Sequence, residues 1–118
     1  MLLPDRCALS PRLYRGGAKC FGPGICRLLH LVESTGSLRA AALEMGMAYS
    51  KAWRIMREVE SALDAPLLAS TTGGPHGGGA VLTPAAREML RRYDAFMAEV
   101  AAGAEQAFRR HFGGPVGE

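Results

Sequence analysis

Apolar positions change their spacing several times along this 118-residue chain, and each change marks an element. Residues 1–11 show no periodicity and are expected to form a flexible N-terminal arm. RLYRGGAKCF carries two short extended runs about Gly16-Gly17, the pattern of a small β-hairpin. Gly22-Pro23-Gly24 ends it, and Pro23 suits the first turn of a helix. Ile25, Leu28, Leu29 and Val32 fall on one helical face that ends near Gly36. Ser37 can cap a second, short helix whose inner face is Leu38, Ala41, Ala42 and Met45. Small side chains at 41 and 42 let another helix cross closely. Gly46 permits a sharp turn. A third helix is predicted from about Ala48 to Leu63, striped by Ala52, Ile55, Met56, Val59, Ala62 and Leu63. Pro66 stops the pattern. Leu67–Ser70 and Ala80–Leu82 are short enough to be paired strands around a glycine-rich tip.

Thr83-Pro84 opens the last helix as cap and first-turn residue. Within it Ala86, Leu90, Tyr93, Met97, Val100, Ala104 and Ala107 are spaced alternately four and three apart. That is a coiled-coil seam kept for about three heptads. A 118-residue domain does not need so long a seam for its own core. A partner helix from a second copy explains it better than a helix folded back on the monomer. The expected architecture is mainly α with a small β component: a winged helix-turn-helix over 12–83, a long dimerisation helix over 84–112, and a disordered tail over 113–118. Leu90, Tyr93, Met97, Val100 and Ala104 are the expected dimer interface.

Charge sharpens this picture. Residues 1–57 hold nine Lys/Arg against three acids, and residues 58–118 hold five against eight. A basic front and an acidic back suit a protein that shows one face to a polyanion. In the third helix Ser50, Lys51, Arg54, Arg57 and Glu58 lie around the side opposite the apolar stripe, the side that would enter a DNA groove. At the wing tip, His76, Gly77 and Gly78 are candidates for phosphate contact. The run Gly77-Gly78-Gly79 reads as serving close approach rather than the fold; a plain surface loop is the other reading. Trp53 is expected to wedge against a neighbouring helix, with base stacking as the alternative.

Other chemistry finds little support. GGPHGGG lacks the Gly-Lys-Ser/Thr ending of a phosphate-binding loop and is followed by a strand pattern. His30, His76 and His111 are not at ligand spacing to one another. Cys7, Cys20 and Cys26 fit neither a disulfide framework nor a Cys-x-x-Cys knuckle. They are expected as free thiols. No catalytic set, metal site or cofactor is expected. No apolar run nears the roughly 20 residues needed to span a bilayer, and MLLPDRCALSP is too broken for a signal peptide. A cytoplasmic location follows as the expectation.

With these motifs placed, the chain resembles the DNA-binding domain of the molybdate-responsive ModE regulators. More distantly it is similar to the winged helix-turn-helix of LysR-type regulators. GSLRAAALEMGMAYSKAW at 36–53, TGGPHGGGAVLT at 72–83 and the long helix beyond carry the resemblance. It implies a transcriptional regulator that binds double-stranded DNA as a homodimer on a palindromic operator, with Tyr49, Ser50, Lys51 and Arg54 facing the groove. An architectural or adaptor module using the winged fold for protein contact is the alternative. Ala48 stands where the family usually has Ser or Thr, and Ser70 where it usually has Arg. The family continues into molybdate-binding domains beyond the last helix. None is present on this sequence, so no molybdate response is expected from it.

Overall fold

The computed structural model describes residues 1–71 and 79–113. Two antiparallel strands come first, β1 (Leu13–Arg15) and β2 (Ala18–Phe21). The helices α1 (Pro23–Thr35), α2 (Leu38–Glu44) and α3 (Tyr49–Leu63) follow. A second antiparallel pair, β3 (Leu68–Thr71) and β4 (Gly79–Leu82), precedes the long α4 (Pro84–Phe112). The fold is mainly helical, a winged helix-turn-helix with a long C-terminal helix, as the periodicity predicts.

Local chemistry sets most of the boundaries. The Ser37 hydroxyl accepts the Ala40 N–H at 3.0 Å and so caps α2. The Thr83 hydroxyl accepts the Ala86 N–H at 3.2 Å and donates to the Pro66 carbonyl at 2.7 Å, tying the start of α4 to the base of the wing. Gly46 takes a φ of 68°, the left-handed turn between α2 and α3. The end of α3 falls at Leu63, as its apolar stripe predicts. Asp64 closes it in a left-handed conformation with φ 53°, two residues before Pro66. Asp tolerates that region better than most residues, because its short polar side chain can bond locally.

One core joins every element of the amino-terminal part. Phe21, Leu28, Leu29, Val32, Val59 and Leu67 are completely buried at its centre. Ala41, Ala42 and Ala52 are also sealed, so α2 and α3 meet through small side chains. Among residues 1–10 all side chains are exposed. The path is fixed at Pro11, whose carbonyl accepts the Tyr93 hydroxyl at 2.8 Å. The Tyr93 ring packs on Phe21 with centroids 5.1 Å apart.

Only the first part of α4 enters this core. Ala86, Leu90 and Tyr93 are buried, and Met97 packs at the margin. Beyond Met97 the helix projects. The molecule measures 62 × 30 × 21 Å with a radius of gyration of 18.1 Å. A compact domain of 100 residues would have about 13 Å. The residues expected as a disordered tail lie outside the described residues from 114 onward.

Candidate nucleic-acid interface

Burial of Ala52, Met56 and Val59 fixes the rotation of α3 about its axis. At about 3.6 residues per turn, Ser50, Lys51, Arg54 and Arg57 must then point outward. All four are exposed. Tyr49 begins the helix, and the Arg39 guanidinium from α2 stacks over its ring at 4.1 Å from the centroid. This places a cation beside the amino-terminal end of α3, where the helix dipole is also positive. Ala48 holds the N-cap position and supplies no side-chain hydrogen bond, so no hydroxyl stands there to cap the helix or bond an anion.

Trp53 corrects an expectation. It does not wedge between helices but is half exposed, with the Arg57 guanidinium 5.1 Å from its ring centre. The α2–α3 contact is sealed instead by the small side chains of Ala41, Ala42 and Ala52. Trp53 sits one step around the helix from the buried stripe and faces the cleft towards the wing.

Two ties hold the wing strands against the helices. The Glu60 carboxylate accepts the Leu67 N–H at 2.7 Å and the Leu68 N–H at 3.3 Å. On the other strand, the Ala80 N–H donates to the Gly36 carbonyl at 2.8 Å. Between α3 and the strands lies a cleft of about 740 Å³, lined in part by Arg39, Tyr49, Trp53, Arg57, Glu60 and Ser70. His76, Gly77 and Gly78 lie outside the described residues, as does the whole 72–78 tip.

Arg39 is the cation that sequence reasoning missed. It stands two residues after the α2 cap, and only the crossing of α2 on α3 brings it to Tyr49. Arg39 and Arg57 line the cleft beside the wing strands, while Lys51 and Arg54 are exposed elsewhere on α3. Guanidinium groups on a convex helix can bond guanine N7 and O6 in pairs or neutralise phosphates. The arrangement is one of shape and charge.

The α4 seam divides in a way that its spacing does not reveal. Leu90 and Tyr93, expected at a dimer interface, are 5% and 3% exposed within the single chain, because α1 and β2 need them for the core. Met97, Val100 and Ala104 are half-buried along the margin and the projecting part. Where α4 crosses α1, the Cys26 Sγ–H donates to Asp94 Oδ1 at 3.4 Å and His30 Nε2 lies 3.0 Å from Asp94 Oδ2. Cys26 and His30 are four residues apart on one helical face. Comparing cysteines only with cysteines, and histidines only with histidines, hides that mixed pair.

Residues 26–87, just over half of the chain, match the family described as bacterial regulatory helix-turn-helix protein, lysR family. The molybdenum-pterin-binding protein MopB of Rhodobacter capsulatus is 42% identical over 96 residues, which are 81% of this chain and 35% of MopB. The molybdenum transport protein ModE of Herbaspirillum seropedicae is 40% identical over 63 residues, 53% of this chain and 23% of that protein. ModE of Escherichia coli K12, a DNA-binding transcriptional dual regulator, is 34% identical over 67 residues, 57% of this chain and 26% of the relative. The chain therefore spans about a third or less of the length of these relatives. The crystal structure of the CbnR DBD–DNA complex superimposes with a TM-score of 0.54 at 20% identity, over 71% of this chain and 91% of that one. ArgP from Mycobacterium tuberculosis gives 0.51 at 21% identity, over 72% of this chain and 30% of ArgP.

Proposed function

The chain belongs to the LysR family of bacterial regulatory helix-turn-helix proteins, with a ModE-like winged domain, and on that premise we propose that it is a DNA-binding transcriptional regulator. It acts in the cytoplasm as a homodimer on a palindromic operator. The observation that carries this reading is the outward face of α3. Its buried stripe turns Ser50, Lys51, Arg54 and Arg57 to solvent, and Arg57 also lines the cleft between α3 and the wing strands. Ser50, Lys51 and Arg54, with Tyr49 at the tip, read base edges in the major groove. Arg39, Arg57 and the wing residues His76, Gly77 and Gly78 hold phosphates, which fixes register without reading sequence.

Pairing runs through the free part of α4. Met97, Val100 and Ala104 form the contact, and Leu90 and Tyr93 brace it from within the core. The two α3 helices then address half-sites about 34 Å apart, one turn of DNA, or a multiple of that. No catalytic step is assigned to any residue.

Selection from a random duplex pool by the purified chain tests the reading. Enrichment of a two-fold-symmetric sequence is expected. Binding to it should weaken steeply with salt, with a log–log slope of about −0.9 per phosphate neutralised. A pool that yields no enriched sequence and no salt-dependent binding would favour a protein-contact adaptor.

A further inference from the structure

We propose that Cys26, His30 and Asp94 form a zinc site that clips α4 to α1. Cys26 and His30 stand one turn apart on α1, and Asp94 reaches them from α4. One donor atom from each lies within 4.8 Å of the other two. In four-coordinate zinc, bonds of roughly 2.0–2.3 Å put neighbouring ligand atoms about 3.3–3.7 Å apart. Gathering the three donors around an ion thus asks the widest pair, within 4.8 Å, for a closing shift of about 1.1–1.5 Å at most. His30 and Asp94 can make it, because their side chains are 47% and 52% exposed. The same exposure gives an ion its entry path and leaves a fourth position open to water.

Donor chemistry selects the ion. A thiolate and an imidazole disfavour magnesium and calcium, which take oxygen ligands, and suit zinc. A thiolate, a carboxylate and a neutral imidazole together balance the charge of Zn²⁺. Without the ion, burial and the neighbouring Asp94 carboxylate push the Cys26 thiol up to about 12, so it rests protonated. Binding forms the Sγ–Zn bond as the Sγ–H bond breaks, and one proton leaves to solvent per ion. His30 ligates through Nε2 with its own proton on Nδ1. Asp94 is only one residue beyond Tyr93, the last core residue of α4. The ion therefore fixes the helix where it leaves the domain, and this holds whether or not the chain binds DNA.

Cobalt chloride, titrated into the reduced, chelator-stripped full chain, supplies the test. One Co²⁺ per chain is expected, with tetrahedral d–d absorption and a thiolate-to-cobalt charge-transfer band, both quenched by added Zn²⁺. Cys26→Ser should remove the charge-transfer band. His30→Ala and Asp94→Asn, at half-exposed positions, should weaken binding at least tenfold while the metal-free proteins melt close to wild type. Cys7→Ser and Cys20→Ser should leave the spectrum unchanged. Absence of a saturable band would overturn the proposal, and so would a band that survives Cys26→Ser or keeps its affinity in His30→Ala.

Discussion

A Cβ on Gly79 would lie 2.5 Å from the carbonyl oxygen of Gly36 and 2.8 Å from Thr71 Oγ1. That carbonyl accepts the Ala80 N–H, and the Gly79 N–H donates to Thr71 Oγ1 at 3.0 Å. The first residue of β4 is thus pressed onto the junction between α1 and α2. The expectation that Gly77-Gly78-Gly79 serves only close approach is corrected at its third member: Gly79 serves the fold, and the other two lie outside the described residues.

Gly79→Ala should therefore lower stability by about 1–3 kcal/mol, the usual cost of overpacking. Gly103 lies inside the projecting helix, and a Cβ there would meet nothing within 4 Å. Gly103→Ala should raise stability by up to about 1 kcal/mol through helix propensity. Urea unfolding of both variants checks the pair. Equal stability of Gly79→Ala and wild type would contradict the close approach.

Glu60 carries the other tie to the wing. Glu60→Ala removes the acceptor for the Leu67 and Leu68 N–H groups and should cost about 1–3 kcal/mol. Glu60→Gln keeps an acceptor oxygen and should lie between. Hydrogen exchange at Leu67 and Leu68 should speed up more than exchange within α1. Unchanged protection at those two amides would show that the carboxylate does not hold the strand.

Much of the fold was legible because it rests on local rules. Helix periodicity, the Ser37 and Thr83 caps and the Gly46 turn are each written within a few residues. What escaped depends on tertiary neighbours. Nothing near Gly79 in sequence shows that the Gly36 carbonyl comes to meet it. Arg39 reaches Tyr49, and Cys26 reaches Asp94, only after helices cross. The heptad seam marks α4 as apolar along one side, but spacing alone does not divide Leu90 and Tyr93, which the chain's own core takes, from the residues beyond.

That division predicts opposite outcomes along one helix. Leu90→Ala should destabilise the chain itself by about 2–5 kcal/mol, as for other buried leucines. Met97→Glu should leave the domain folded but split the homodimer, because it would bury an unpaired charge against the partner. Size exclusion with light scattering, read beside a melting curve, distinguishes the two. A wild-type monomer at micromolar concentration would defeat the proposed pairing.

The three thiols should react at different rates. Cys7 is exposed, Cys20 and Cys26 are buried, and the Cys26 thiol is pushed up to about 12 by burial and by Asp94. Thiolate is the reacting form, so near pH 8 Cys26 is almost wholly unreactive. Timed alkylation of the native chain followed by mass mapping should find Cys7 modified first and Cys26 protected until unfolding. Cys26 labelling as fast as Cys7 would contradict its place between α1 and α4.

The central claim is that the outward face of α3 reads DNA, and Arg54 tests it most directly. A bidentate guanidinium–guanine contact is worth about 1–3 kcal/mol. Fluorescence anisotropy on the selected duplex at fixed salt should show Arg54→Ala binding at least tenfold more weakly than wild type. The variant should keep the wild-type melting temperature and lose its preference at one base pair of each half-site. Wild-type affinity and unchanged base preference in Arg54→Ala would contradict the account.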